Sequence, residues 1–144
     1  MNKIRWGILS TGKIAGSFTE DIRHVPDAEV VAVGSRNQAS ADAFGQKHSI
    51  PNRHPSYESL ANDSDVDVIY IATPHVFHAE NSILCMEAKK AVLCEKAFSI
   101  HAGEAKTMIQ TARKNNVFLM EQKLLSSDGW NFTDQKTSTL LKKI

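Results

Sequence analysis

The sequence predicts an α/β fold built on one parallel, doubly wound sheet, and three observations support this prediction. Short apolar runs rich in β-branched residues alternate along the chain with segments of helical periodicity. Most of these runs are near-continuous, as expected of strands that helices cover on both faces. The length of 144 residues, with 42% hydrophobic and 23% charged residues, fits a single globular domain with its own core.

The first half of the chain is predicted to contain two strands and three helices. Apolar runs predict strands over residues 4–9 and 29–34. A helix follows the first strand at once and ends before Pro26 and Asp27. Its apolar face contains Ile14, Ala15, Phe18 and Ile22. Shorter helices are predicted over residues 40–47 and 56–61, with a loop punctuated by prolines between them.

The second half repeats the strand–helix alternation. Strands are predicted over residues 67–73, 91–94 and 117–120, and the first of these has the strongest strand pattern in the chain. A helix over residues 80–89 places Ile83, Leu84 and Ala88 inward. Residues 101–115 form the clearest amphipathic helix, and His101 and Glu104 are predicted to close its N-terminus. Its apolar positions are Ala102, Ala105, Met108, Ile109 and Ala112.

Composition excludes several classes of function. A net charge of +1 provides no basic field, which argues against nucleic acid as a partner. No run of about 18 apolar residues predicts a membrane span, and the N-terminus lacks the apolar region of a signal peptide. Cys85 and Cys94 are therefore expected to be reduced thiols in small core positions, and we expect the chain to be cytoplasmic.

The turn after the first strand carries the most informative motif. Ser10, Thr11 and Gly12 connect the strand to the helix that Lys13 and Ile14 begin. Helix N-termini bind anions through first-turn N–H groups and the helix dipole, and Gly12 would let a pyrophosphate approach the backbone. The turn matches the dinucleotide-binding pattern G-x-G-x-x-G/A, with serine in the first glycine position. An ordinary strand–helix turn is the alternative.

The other polar segments follow strands of the same predicted sheet. They are Ser35, Arg36 and Asn37; Thr73, Pro74 and His75; and Glu95 and Lys96. Because ligands of doubly wound sheets bind outside the carboxyl ends of the strands, this placement favours a Rossmann-type dinucleotide site. His75 and His78 have a spacing compatible with metal ligands, but no third ligand follows nearby, so no metal site is predicted.

The end of the second strand indicates which dinucleotide is bound. An acidic residue there would bind the adenosine ribose hydroxyls and repel a 2′-phosphate. This chain instead has Arg36 between Ser35 and Asn37, and a guanidinium is well suited to phosphate. NADP is therefore favoured over NAD, and a solvated loop arginine is the alternative. The same lack of a carboxylate argues against an S-adenosylmethionine enzyme.

Four segments in order resemble the Gfo/Idh/MocA oxidoreductases, over residues 3–121: IRWGILSTGKIAGSF, the SR pair, ATPHVFH and AVLCEKAFSIHAGEA. The likeness is greatest to the dihydrodiol or xylose dehydrogenase branch, which prefers NADP. The resemblance implies hydride transfer between a nicotinamide and a sugar or diol hydroxyl, with Lys96 beside both. It also implies that Glu95 shapes the site, and that Thr73, Pro74, His75 and His78 flank the nicotinamide ribose.

Lys96 is also chemically suited to such a role. A lysine ammonium can donate a proton or stabilise a developing negative charge, but it needs a partner to carry the proton away. The alternative is a surface lysine after a strand. Three further histidines, His24, His48 and His54, fall in loops or at helix ends and are predicted to be solvated.

The sequence departs from the family at two places. Ala97 stands where the family motif Glu-Lys-Pro has proline, which loosens the orientation of Lys96. From residue 122 the family pattern is lost. Residues 1–121 are therefore predicted to be a dinucleotide-binding domain, and 122–144 a divergent, disordered tail on a truncated copy without the substrate domain.

Three hypotheses on function follow. The chain is the NADP-binding half of a dehydrogenase, inactive alone; a complete small enzyme; or a non-catalytic nucleotide-binding or dimerisation module. A homodimer is compatible with each of them.

Overall fold

A computed structural model describes residues 2–96 and 98–121 of the chain. The strands are β1 (Ile4–Leu9), β2 (Ala28–Gly34), β3 (Asn52–His54), β4 (Val68–Ile71), β5 (Ala91–Cys94) and β6 (Leu119–Glu121). The helices are α1 (Lys13–Ile22), α2 (Gln38–Lys47), α3 (Tyr57–Ala61), α4 (His78–Glu87) and α5 (Ala102–Asn115), and a 3-10 turn spans His75–Phe77. The predicted tail, residues 122–144, lies outside the described residues.

The strands form one parallel sheet in the order β3-β2-β1-β4-β5-β6. The chain moves outward from β1 to β3 and then returns to place β4 on the other side of β1. The predicted doubly wound α/β fold is therefore confirmed. The order reverses beside β1, which opens a crevice between β1 and β4 at the carboxyl edge of the sheet.

Successive strand residues pack into two separate core layers, because side chains alternate between the faces of a sheet. One layer contains Trp6, Ile8 and Tyr70 and packs against α1 and α2. The other contains Leu9, Ile69 and Ile71 and packs against α3, α4 and α5. Within the described residues, no helix is long and apolar enough to cross a membrane.

Side-chain caps fix the start of three helices. The Asn37 side chain accepts a hydrogen bond from the Ser40 amide at 2.9 Å, and Ser56 caps α3 through the Ser59 amide at 3.1 Å. The predicted pair at the start of α5 is present, since the Glu104 amide donates to His101 Nδ1 at 3.3 Å. Such caps satisfy N–H groups that have no partner inside the helix.

The structure corrects several predicted element limits. Strand β3 was not predicted, α4 begins at His78 rather than residue 80, and the last strand covers Leu119–Glu121 rather than residues 117–120. Three residues placed on apolar helix faces, Ile14, Ala102 and Ile109, are exposed. Ile14 and Ala102 lie in the first turns of α1 and α5.

Candidate functional site

The segments selected from the sequence meet at the carboxyl edge of the sheet. Ser10 follows β1, Ser35 follows β2, Thr73 follows β4 and Glu95 follows β5. Backbone hydrogen bonds join these strand ends, from the Ser10 amide to the Gly34 carbonyl (3.0 Å) and from the Glu95 amide to the Ile71 carbonyl (3.1 Å). The parallel fold therefore brings the candidate residues together, which the sequence alone shows only as separate segments.

The turn between β1 and α1 has an unusual backbone at one position. Ser10 has a φ of 109°, in the region that favours glycine. Gly12 is the N-cap of α1, with no side-chain cap and no acidic residue in the first turn of the helix. Thr11 is half-buried, and Lys13 and Ile14 are exposed at the start of α1. The first-turn amides of α1 are therefore directed to a surface that can receive an anion.

Nothing in the described residues requires a glycine at position 12. Its φ of −77° suits any residue, and a Cβ added there would meet only Ser10 Oγ, at 4.0 Å. The space that a side chain would fill lies open in front of the helix N-terminus. This space would allow a phosphate to approach the backbone closely, so the residues present fit a dinucleotide.

A cleft of about 540 Å³ extends from this turn across the edge. Its lining comes from the ends of β1, β2 and β4, from α3, and from the 3-10 turn and α4. The lining residues are Ser10, Arg36, Ser56, Tyr57, Glu58, Thr73, Pro74, Phe77, Glu80, Asn81 and Leu84. Burial raises the pKa of the Tyr57 hydroxyl, and the positive charge of Arg36 opposes this rise.

The loop after β4 is held from beneath by two buried side chains. His78 Nε2 donates a hydrogen bond to the Thr73 carbonyl at 2.7 Å, and Asn81 Nδ2 donates to Thr73 Oγ1 at 3.0 Å. Pro74 and His75 are exposed at the top of the same loop. His78 therefore lies under the loop and fixes the position of Thr73, while His75 lies on the surface.

A buried carboxyl group lies directly before Lys96. Glu95 accepts a short hydrogen bond from the Tyr70 hydroxyl, and its other oxygen accepts from the Lys96 amide at 3.2 Å. Burial raises the pKa of both Tyr70 and Glu95. The Tyr70 hydroxyl consequently stays protonated and donates, and Glu95 holds the backbone of Lys96, whose side chain is exposed.

The remaining predicted residues lie at the edge in different roles. Ser35 is buried, and its amide donates to the His54 carbonyl at 3.1 Å. Arg36 is exposed and lines the cleft, whereas the side-chain oxygen Oδ1 of Asn37 caps α2. Both cysteines are buried as predicted, and burial raises the pKa of the Cys94 thiol to about 12.

Helices α3 and α4 contribute to the cleft, which no motif in the sequence indicates. Tyr57 and Asn81 belong to no binding motif, and only the fold brings them to the same cleft as the residues after β2. The sequence predicts the helices over residues 56–61 and 80–89 themselves, but it carries no signal that they face the same cleft.

The prediction that three histidines are solvated holds for His24 and is wrong for the other two. His48 is 5% exposed and its Nδ1 lies 2.7 Å from Glu20 Oε1. His54 is hydrogen-bonded through both ring nitrogens, to Ser59 Oγ and to Asp63 Oδ2, each at 2.7 Å. In both cases the partner comes from another element, so the local sequence does not reveal the burial.

The proteins that this chain resembles in sequence are oxidoreductases, or members of an NAD-binding oxidoreductase family. The sequence profile of an oxidoreductase family with an NAD-binding Rossmann fold, Gfo/Idh/MocA, matches residues 4–123. The trans-1,2-dihydrobenzene-1,2-diol dehydrogenases of Danio rerio and Homo sapiens are 48% and 46% identical to this chain over 120 residues. The matches cover 82% of this chain, which spans only 36% of the length of these relatives.

Solved structures show the same fold. KijD10, a 3-ketoreductase from Actinomadura kijaniata in complex with NADP and TDP-benzene, has a TM-score of 0.77 and 30% identity, over 84% of this chain and 37% of KijD10. An NAD-binding oxidoreductase from Klebsiella pneumoniae has a TM-score of 0.77 at 23% identity, over 83% of this chain and 34% of that one, which supports the fold alone. The chain belongs to the Gfo/Idh/MocA oxidoreductase family, as its NAD(P)-binding Rossmann domain.

Proposed function

We propose that this domain binds NADP(H) across the carboxyl edge and serves hydride transfer between the nicotinamide and a sugar or diol hydroxyl. The observation that carries the proposal is the open space in front of Gly12, beside an uncapped helix N-terminus and a cleft that contains Arg36. The relatives are named as dihydrodiol dehydrogenases, and KijD10 was crystallised with NADP. Both facts support the same assignment.

In this proposal each half of the dinucleotide has its own residues. The amides from Thr11 to Ile14 receive the pyrophosphate, and Arg36 with Ser35 and Asn37 receives the 2′-phosphate. Thr73, Pro74 and His75 flank the nicotinamide ribose, with His78 fixing their loop from below.

Lys96 is the proposed catalytic residue. The bound nicotinamide supplies or accepts the hydride. The Lys96 backbone is held by its amide hydrogen bond to Glu95. The Lys96 ammonium stabilises the negative charge that develops on the reacting oxygen. Lys96 needs a partner to carry the proton away, and we propose that this partner lies outside the described residues.

A second candidate is a non-catalytic nucleotide-binding or dimerisation module. Ala97 in place of the family proline favours it, because Lys96 is then less firmly oriented. Both candidate functions include binding of the dinucleotide. They differ in whether the protein catalyses hydride transfer.

The choice of cofactor tests the proposal. We expect the 144-residue chain to bind NADPH about tenfold to a hundredfold more tightly than NADH, because charge-assisted phosphate contacts contribute about 1.5–3 kcal/mol. Arg36→Ala should abolish the preference in a fluorescence titration. Arg113→Ala, which removes an exposed arginine from the last turn of α5, should keep it.

Equal affinity of the unaltered chain for both cofactors, or an unchanged ratio in Arg36→Ala, would refute the NADP assignment. The same preparations are assayed for turnover with xylose and a dihydrodiol. We expect activity at least about a thousandfold below that of a dihydrodiol dehydrogenase, since a positioned proton-transfer partner contributes about 10²–10⁴-fold. Ordinary turnover that Lys96→Met abolishes would show a complete small enzyme instead.

A further inference from the structure

His54 lies at the centre of a hydrogen-bond network that no binding motif includes. Its Nδ1 contacts Ser59 Oγ in α3, and its Nε2 contacts Asp63 Oδ2 just beyond α3, both at 2.7 Å. The His54 side chain is 18% exposed and the Asp63 side chain 9%. Hydrogen bonds that are shielded from water to this degree are stronger than those between solvated partners. The ring therefore connects the edge strand β3 to the middle of α3 and to the segment just after that helix.

The protonation pattern of the network follows from Asp63. Burial opposes ionisation, but hydrogen bonds from the Asp65 amide, His54 and Asn52 outweigh it and lower the pKa of Asp63. An ionised carboxylate only accepts, so His54 Nε2 carries the hydrogen. In a neutral ring Nδ1 then accepts from the Ser59 hydroxyl, so both ring nitrogens of His54 have a hydrogen-bond partner.

The backbone of His54 reaches the other side of the cleft. Its carbonyl accepts a hydrogen bond from the Ser35 amide at 3.1 Å, and Ser35 directly precedes Arg36. His54 is also the register partner of Gly34 in the β2–β3 pair. One residue thus contacts both the segment that carries Arg36 and the helix that carries Tyr57 and Glu58.

Helix α3 is packed against β2 with no spare room. A Cβ added to Gly34 would come within 2.9 Å of Leu60 Cβ and 3.3 Å of the Ser56 carbonyl oxygen. A small movement of α3 would consequently move the cleft wall formed by Ser56, Tyr57 and Glu58.

We infer that His54 is a positioning residue for the adenosine half of the dinucleotide site, because its ring fixes α3 and its carbonyl fixes the strand end before Arg36. This inference rests on the proposed NADP(H) function. By this inference, the affinity for the adenosine half depends on His54, although His54 does not line the cleft. Binding of the nicotinamide half, near Thr73 and Lys96, does not depend on His54.

The test uses the two halves of the cofactor as separate probes. The 144-residue chain is titrated by NMR with adenosine 2′,5′-bisphosphate and with nicotinamide mononucleotide. His54→Ala should weaken binding of the bisphosphate about tenfold, the equivalent of one to two lost hydrogen bonds, and leave nicotinamide mononucleotide within about twofold. His54→Gln, which can still donate to Asp63, should restore bisphosphate binding to within about threefold.

Asp67→Asn is the matched control for lost stability. It removes the negative charge and one of the two oxygens that accept from the Arg5 guanidinium at the amino edge of the sheet, away from the cleft. It should change neither affinity. If His54→Ala does not fold, Ser59→Ala removes only the Nδ1 contact, and we expect it to weaken bisphosphate binding selectively.

The outcomes separate the inference from the proposed function. If the unaltered chain binds the bisphosphate and both His54→Ala and Ser59→Ala bind it equally well, or if both probes weaken together, the inference is wrong and the proposed function stands. If the unaltered chain binds neither NADPH nor the bisphosphate, the proposed function and the inference fall together.

Discussion

Ser10 holds a backbone conformation that ordinarily selects glycine, with a φ of 109°. A side chain in such a region costs of the order of 1–3 kcal/mol. Ser10→Gly should therefore raise the free energy of unfolding by about 1 kcal/mol, after the greater freedom of glycine in the unfolded chain is subtracted. Urea denaturation measures the change.

Ser10→Ala is the control for this prediction, because it removes the hydroxyl and keeps the Cβ that causes the strain. It should give no gain in stability. A Ser10→Gly variant no more stable than the unaltered chain would show that the turn carries no strain.

Individual residues were predictable where a backbone motif marks them. The strand–turn–helix pattern selected Gly12 from its spacing alone, and the structure shows open space beside it at the start of α1. His48 and His54 were not predictable, since their partners Glu20 and Asp63 lie 28 and 9 residues away. Burial of a polar side chain depends on such distant partners, which periodicity does not reveal.

At the scale of elements, two glycines differ in the space available for a side chain: Gly16 has room for a Cβ and Gly34 does not. A Cβ at Gly16, inside α1, would lie 3.5 Å from His48 Nε2 and 3.9 Å from Phe44 Cε2, which are ordinary contacts. Gly16→Ala should therefore stabilise the chain by about 0.5–1 kcal/mol, because alanine is the better helix former.

The comparison is Gly34→Ala at the end of β2, where the added Cβ would lie 2.9 Å from Leu60 Cβ. Overpacking of this kind costs about 1–3 kcal/mol, so this variant should be destabilised. Thermal unfolding of both variants measures the difference. If Gly16→Ala lowers the melting temperature, the groove between α1 and α2 is tighter than its geometry indicates.

Elements with a strong internal pattern were predicted well. Strand β5 was predicted at its observed limits, Ala91–Cys94, and α5 began one residue later than expected because His101 caps it. Strand β3 could not be predicted, because the three residues between Pro51 and Pro55 are too few and too polar to show a strand pattern. Its identity as a strand comes from its pairing with β2, which is a property of the folded chain.

For the whole molecule, alternation of strands and helices was enough to predict a parallel sheet, because parallel neighbours need a crossover connection. The crevice at the carboxyl edge follows from the same topology. The composition of the cleft wall did not follow, since α3 and α4 reach it from two separate parts of the chain.

The carboxyl edge also exposes apolar side chains that bear on association. Val76 is 49% exposed after β4, and Ile100 is 54% exposed after β5, the neighbouring strand in the sheet. Exposed apolar surface of this kind favours association between protein molecules. We therefore expect the 144-residue chain to self-associate through this edge as its concentration rises, with light scattering as the measurement.

A double variant, Val76→Ser with Ile100→Ser, should shift the chain toward the monomer, because it removes apolar area from both neighbouring loops at once. Ile109→Ser is the matched control, since Ile109 is 41% exposed on α5 and lies outside these loops. It should leave the concentration dependence unchanged. An unaltered chain that stays monomeric at every concentration would contradict the prediction, and equal association of the double variant would assign the contact to another surface. If the control alone reduces association, the contact lies on the α5 face.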